Sequence, residues 1–197
     1  MPINLAHAQR ATQMTGNVSA QVLPLAGGRE RALRWLLLWM FAPSGVLLLI
    51  MFSLALTRGV PLWLAGSALL GPLLLLQLLY LFLAARIRRA GVALNAQAIG
   101  IDSGLSSRLI ALRRLAPRGL REVDLQQHPE LRPLLRTWGI GLPGFNGGWY
   151  RLRDGRKALC LITERERVCM LEDEGGVAYL LSLADPTPLK RALQALH

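Results

Sequence analysis

The densest chemistry in this 197-residue chain is Arg151-x-Arg153-Asp154-Gly155-Arg156-Lys157, four cations within seven residues. Side chains alternate across a strand, so Arg151 and Arg153 share one face, and Asp154-Gly155 is a strong hairpin-turn signal. Such a group suits contact with anionic headgroups or an acidic protein or peptide surface, at roughly 1 kcal/mol per basic residue close to an anionic membrane. The same pattern also describes the solvated outer face of a half-buried sheet. A second basic group follows from Arg108, Arg113, Arg114, Arg118 and Arg121.

Other reactive residue types are scattered. Cys160 and Cys169 lack zinc or redox spacing, and His7, His128 and His197 form no ligand cluster, so neither a metal site nor a cofactor is expected. Gly139–Gly148 reads as a glycine-rich loop but lacks the lysine and hydroxyl pair of a phosphate-binding loop. Its glycines either let backbone approach a ligand or partner or make a sharp bend, with Trp138, Phe145 and Trp149 as contacts or as core. Glu172-Asp173-Glu174 before Gly175-Gly176 reads as a solvated acidic turn. No nucleophile is paired with a base in an arguable arrangement, so no catalytic residues are expected and the chain is read as non-enzymatic.

The elements that position these residues begin with two apolar stretches. Residues 35–56 and 61–85 carry no charge, and each is long enough to cross roughly 30 Å of hydrocarbon at about 1.5 Å per residue. Only Thr57, Arg58, Gly59 and Val60 separate them, which forces an antiparallel helical pair, with Pro61 suited to the first turn of the second helix. The formal net charge is +11, and +7 of it falls within residues 1–89, where eight arginines face the single acid Glu30. Arg29, Arg31 and Arg34 precede the first span and Arg86, Arg88 and Arg89 follow the second. This placement explains the positive charge through membrane orientation, so nucleic acid is not an expected partner; both termini are expected in the cytoplasm. Gln77 is the one strongly polar residue deep in a span, and Ser67-x-x-x-Gly71 permits close helix approach. Residues 1–28 read as a flexible polar tail, containing the chance-level sequon Asn17-Val18-Ser19.

After Arg89, short apolar runs alternate with turn residues at intervals of about ten, the texture of a small β domain. Strands are expected at Val92–Leu94 with Ala98–Ile101, at Arg108–Leu112, and at Trp149–Arg153, Lys157–Thr163, Arg167–Leu171 and Val177–Leu181. A tight turn near Glu164-Arg165 would set Cys160 and Cys169 face to face on adjacent strands. Asp185-Pro186 opens a last helix that packs Leu189, Leu193 and Leu196 on the sheet.

Residues 136–144, Arg-Thr-Trp-Gly-Ile-Gly-Leu-Pro-Gly, together with 148–159, Gly-Trp-Tyr-Arg-Leu-Arg-Asp-Gly-Arg-Lys-Ala-Leu, resemble bacterial pleckstrin-homology-like domains. The closing Leu180-Leu181-Ser182 and Asp185-Pro186 resemble the family's ending, and the likeness covers about residues 91–196. It implies a bent barrel of about seven strands closed by the terminal helix, coupled to a pair of membrane helices. Phosphoinositide-binding members of the wider fold use basic residues between their first two strands, whereas Asn95–Ser107 holds no Lys or Arg. The expectation is an α+β membrane protein of the bacterial inner membrane, crossing it more than once: a tail at 1–28, a transmembrane hairpin at 29–90 and a PH-like domain at 91–197. It would bind membrane lipids, a protein or a peptide, or further copies of itself in a homo-oligomer. The alternative is an accessory or scaffold subunit of a larger membrane complex.

Overall fold

The computed structural model describes residues 21–58, 62–115 and 120–196. The sequon, most of the tail, Pro61 and Arg118 lie outside them. The molecule is α+β, with two helices long and apolar enough to cross a membrane and a domain of two sheets. Strand β1 (Gln21–Leu23) precedes helix α1 (Arg29–Arg58) and helix α2 (Leu62–Arg89). Then come β2 (Gly91–Leu94), β3 (Ala98–Asp102), β4 (Ser107–Ala111) and a single turn, α3 (Leu112–Leu115). The rest is β5 (Arg121–Val123), a 3₁₀ turn at Pro129–Leu131, β6 (Pro133–Leu142), β7 (Phe145–Leu152), β8 (Lys157–Ile162), β9 (Val168–Glu172), β10 (Ala178–Leu181) and α4 (Thr187–Gln194).

The four-stranded sheet runs β1-β2-β3-β4, all antiparallel. Gln21, Val22 and Leu23 pair with Leu94, Ala93 and Val92. Residues 21–28, expected within a flexible tail, therefore belong to the sheet domain, and the helical pair is an insertion between two neighbouring strands. A three-residue strand has too little sequence for a period-two signal, and its partner lies some seventy residues away. Beyond β1 the same strap joins the second sheet. Leu25 bridges Leu183, the Ala26 amide donates to the Ser182 carbonyl at 3.1 Å, and the Thr163 hydroxyl donates to the Ala26 carbonyl at 2.9 Å.

The six-stranded sheet runs β5-β9-β10-β8-β7-β6. Strand β10 lies between β8 and β9, parallel to the first and antiparallel to the second. This corrects the expected pairing of Cys160 with Cys169: Cys160 is opposite Leu180 and Cys169 opposite Leu181, on different faces of the sheet. Every residue of β10 is buried, as a central strand covered on both sides requires. The two sheets are not closed into one barrel; they remain separate ladders joined by the strap and a shared core.

That core takes Val92, Ile99 and Ile101 from one sheet, Leu159, Leu161 and Tyr179 from the other, and Leu189 and Leu193 from α4. Leu196, expected on the same helical face, is exposed because α4 ends at Gln194. Ala32, Leu36 and Ile87 bring the domain-proximal ends of α1 and α2 into this core. Helix α2 stays helical to Arg89, so Arg86 to Gly91 spans roughly 8 Å at about 1.5 Å per residue, well short of an extended tether. The Arg29 guanidinium donates to the Ala90 carbonyl at 2.6 Å and ties the start of α1 to the end of α2. Further along, Phe41 meets Tyr80 edge to face at 5.7 Å.

Candidate functional site

Strand β7 alternates cleanly. Phe145, Gly147, Trp149 and Arg151 share the face of the larger core, and Tyr150 and Leu152 face a smaller second core with Cys160 and Ile162. Trp149 is only half-buried. Its ring receives two cations: Lys157 Nζ from β8 at 4.6 Å from the centroid and the Arg108 guanidinium from β4 at 5.4 Å. Arg151 is the cross-strand partner of Lys157. The two basic groups that lie some forty residues apart thus meet where the sheets adjoin. Each contact with an aromatic face is worth about 0.5–1 kcal/mol at such a site.

The Tyr179 hydroxyl donates to Asp173 Oδ2 at 3.0 Å. Burial first, and then that carboxylate, push its pKa up to about 12, while Arg108 and Arg114 pull the other way. Asp173 is further engaged by the Val177 amide. Among the described residues, no carboxylate lies within salt-bridge range of Arg108, Arg151 or Lys157. The charges on Arg108 and Lys157 are at most about 10 Å apart through the shared ring. That is close to one Debye length, so one anion docked over Trp149 feels both.

The other members of the expected cluster part ways. Arg156 binds Asp154 Oδ2 at 2.6 Å and also Glu172, so it is internally neutralised and holds the β7–β8 turn to β9. Arg153 sits exposed in the turn itself, and its amide donates to the Arg132 carbonyl at 3.1 Å. Of the membrane-flanking set, Arg29 is spent on Ala90, and Arg86 stacks over Phe82 at 5.0 Å. Arg31, Arg34, Arg88 and Arg89 are exposed around the junction of helices and sheets.

The expected glycine-rich loop is instead mostly strand, forming the ends of β6 and β7 with a turn only at Pro143-Gly144. Phe145 is fully buried, in line with a structural role. A Cβ on Gly148, at φ +129°, would lie 2.3 Å from the Trp138 carbonyl oxygen, so the glycines let β6 and β7 approach backbone to backbone. Trp138, by contrast, is 63% exposed on the outer strand of the sheet, opposite Trp149. Register shifts at Pro133/Leu135 and Arg136/Trp138 leave Leu134 and Leu135 exposed beside it. Sequence reasoning places Trp138 beside the β core; the bulges that turn it outward have no signature in residue type. The surface therefore combines Arg108, Arg151 and Lys157 with the apolar flank of Trp138, Trp149 and Leu135.

Burial pushes the Cys160 thiol upward and, with Glu122 nearby, Cys169 to about 11, so neither is a ready nucleophile. Among the described residues no group of three His, Cys, Asp or Glu is arranged to hold a metal ion. No protein-family profile, curated protein or solved structure matches the chain.

Proposed function

We propose that this chain is a non-enzymatic, membrane-tethered interaction module of PH-like type. It holds the Trp149 surface toward an acidic protein or peptide, or toward anionic lipid headgroups, on the cytoplasmic side of a bacterial inner membrane. The observation that carries this reading is the meeting of Arg108 and Lys157 on one half-exposed indole beside Arg151, with no carboxylate in range among the described residues. Cations gathered without counter-charge repel one another, and an anionic ligand relieves that cost. The apolar flank supplies the contact area that charge alone lacks.

The membrane part rests on two uncharged spans and on the arginines at their domain-proximal ends. The PH-like part rests on the resemblance of residues 136–159 and on the antiparallel ladder β6-β7-β8, which shares its core with a terminal helix. The alternative, an accessory subunit contacted through its helices, draws support from the exposed position of Gln77 within an apolar helix.

Carbodiimide coupling tests the site, because the chain has only two lysines, Lys157 and Lys190. Lys190 is already paired with Glu122 at 2.6 Å. In native membranes Lys157 is expected to form an amide with a carboxylate of a polypeptide partner, whereas a phosphodiester headgroup forms no amide and leaves Lys157 unlinked. Yield is expected to fall several-fold in Arg108→Gln/Arg151→Gln and to persist in Arg156→Gln. Coupling confined to Lys190, or indifferent to the double change, would remove the polypeptide-binding reading and leave only headgroups without carboxylates as the ligand.

A further inference from the structure

The second helix packs one apolar face and leaves the rest exposed, Leu75, Leu78 and Phe82 included, and one exposed series is set apart by holding Gln77. Leu73, Leu76, Tyr80, Leu83 and Ile87, spaced three and four apart, are the more buried face, and Tyr80 there meets Phe41 of α1. Just under a third of a turn round the helix at about 3.6 residues per turn lies a second series at the same alternating spacing, Leu70, Leu74, Gln77 and Leu81. Its leucines are 68%, 64% and 52% exposed, and Gln77 is exposed as well. Among the described residues Gln77 makes no hydrogen bond.

On the reading that α2 spans a bilayer, this arrangement is incomplete. Gln77 lies nine residues from Arg86, about 13 Å along the axis at 1.5 Å per residue, which places it close to mid-membrane. Its short side chain cannot reach the headgroups from there, and hydrocarbon offers its carboxamide neither donor nor acceptor. The intramolecular option is closed, because the neighbouring helix packs on the other seam.

We propose that this seam joins α2 to the α2 of a second copy of the chain, with the two Gln77 carboxamides hydrogen-bonded across a two-fold axis. Three features select a second copy. A carboxamide is both donor and acceptor, so it is complementary to itself. Copies that share one insertion direction hold equal residues at equal depth, so the partner amide arrives at the right level without adjustment. A 4-3-4 leucine spacing interrupted by one polar position is the pattern in which the polar residue fixes register and copy number. A symmetric dimer also places two Trp149 surfaces at one membrane patch and doubles the valency of the proposed site.

The test uses the full-length chain in sealed vesicles, after carbonate washing has shown it to be membrane-retained. Leu74→Cys and Leu81→Cys are oxidised in parallel with Leu79→Cys, an exposed position on the opposite side of α2. The native Cys160 and Cys169 are buried and serve as the unreactive background. Disulfide-linked dimer is expected at positions 74 and 81 and not at 79. Adding Gln77→Leu is expected to weaken association about three- to thirty-fold, in the range for interhelical polar contacts in membranes, and Gln77→Asn to retain most of it. Equal linkage at 79, no response to Gln77→Leu, or linkage only to a different polypeptide would each overturn the dimer while leaving the membrane reading intact. Release by carbonate would overturn the membrane reading itself.

Discussion

Trp149 is half core and half surface, and the chemistry around it follows from that division. It packs partly buried against the larger core, and its ring meets both Arg108 and Lys157. Replacing it with leucine keeps much of the packing but removes both cation contacts, so Trp149→Leu is expected to cost about 1–2 kcal/mol from those contacts and to lower carbodiimide coupling at Lys157. Arg156→Gln breaks the links to Asp154 and Glu172, which are partly exposed and screened. A loss of about 1 kcal/mol or less is expected, measured by thermal unfolding, with coupling unchanged. Which cations were free was not legible in the sequence: Glu172 lies sixteen residues beyond Arg156, and Arg108 reaches Trp149 only through the packing of two sheets. Tyr150 gives a pH signature. Its hydroxyl donates to the Ile140 carbonyl at 3.0 Å, and burial, with Cys160 nearby, pushes its pKa up to about 12. A tyrosine free in the unfolded chain ionises near pH 10. The folded state thus holds the proton more tightly, and the stability it contributes is complete below about pH 10 and lost as pH rises toward 12. Tyrosinate absorbance is expected to show this group titrating with unfolding, and Tyr150→Phe is expected to reduce the alkaline sensitivity.

At the scale of elements, the junction of strap, hairpin turn and helix is built on close backbone approach. Gly28 sits at φ +108°, and a Cβ there would come 2.6 Å from the Thr163 carbonyl oxygen and 2.9 Å from that of Gly144. This lets the β6–β7 turn seat against the first residues of α1. The β6–β7 ladder depends likewise on Gly148, and Gly148→Ala is expected to destabilise by about 3 kcal/mol or more, through backbone overlap and a left-handed φ. Chemical denaturation reports this as a lower midpoint. Leu23, buried by the pairing of β1 with β2, gives a second probe, with about 2–4 kcal/mol expected for Leu23→Ala. The spans and the strands β2 to β4 and β7 to β10 were legible because hydrophobic runs and turn residues are local signals. The insertion of β10 between β8 and β9 was not, since a crossover leaves no mark in spacing, and a two-residue turn suggested a hairpin that the chain does not form. The last helix was signalled by Asp185, whose carboxylate does accept the Thr187 amide at 2.9 Å.

For the whole molecule, the decisive feature is that the helical pair interrupts a sheet. A fragment of residues 91–197 lacks β1, the strap, Ala32, Leu36 and Ile87, and so leaves the β2 edge and part of the core uncovered. It is expected to give weak near-ultraviolet dichroism and no cooperative thermal transition. The same feature constrains topology. Because β1 and β2 pair across the base of the hairpin, both domain-proximal helix ends must stay on one side of any membrane the helices cross. On the proposed orientation the six arginines at the domain-proximal ends, against Arg58 alone near the other, put that side in the cytoplasm. Thr57 is exposed near the far end of α1 and Glu174 in the β9–β10 turn of the sheet domain, and the native thiols are buried with raised pKa values. Single cysteines at these two positions are therefore clean reporters for a membrane-impermeant maleimide. Glu174→Cys is expected to label only from the cytoplasmic side and Thr57→Cys only from the other. Converting Arg31, Arg34, Arg88 and Arg89 to Gln weakens the bias and is expected to yield two populations, each with the reporters on opposite faces. A folded population labelled at both positions from one side would mean that the helices lie along the surface, and the hairpin reading would fall with it.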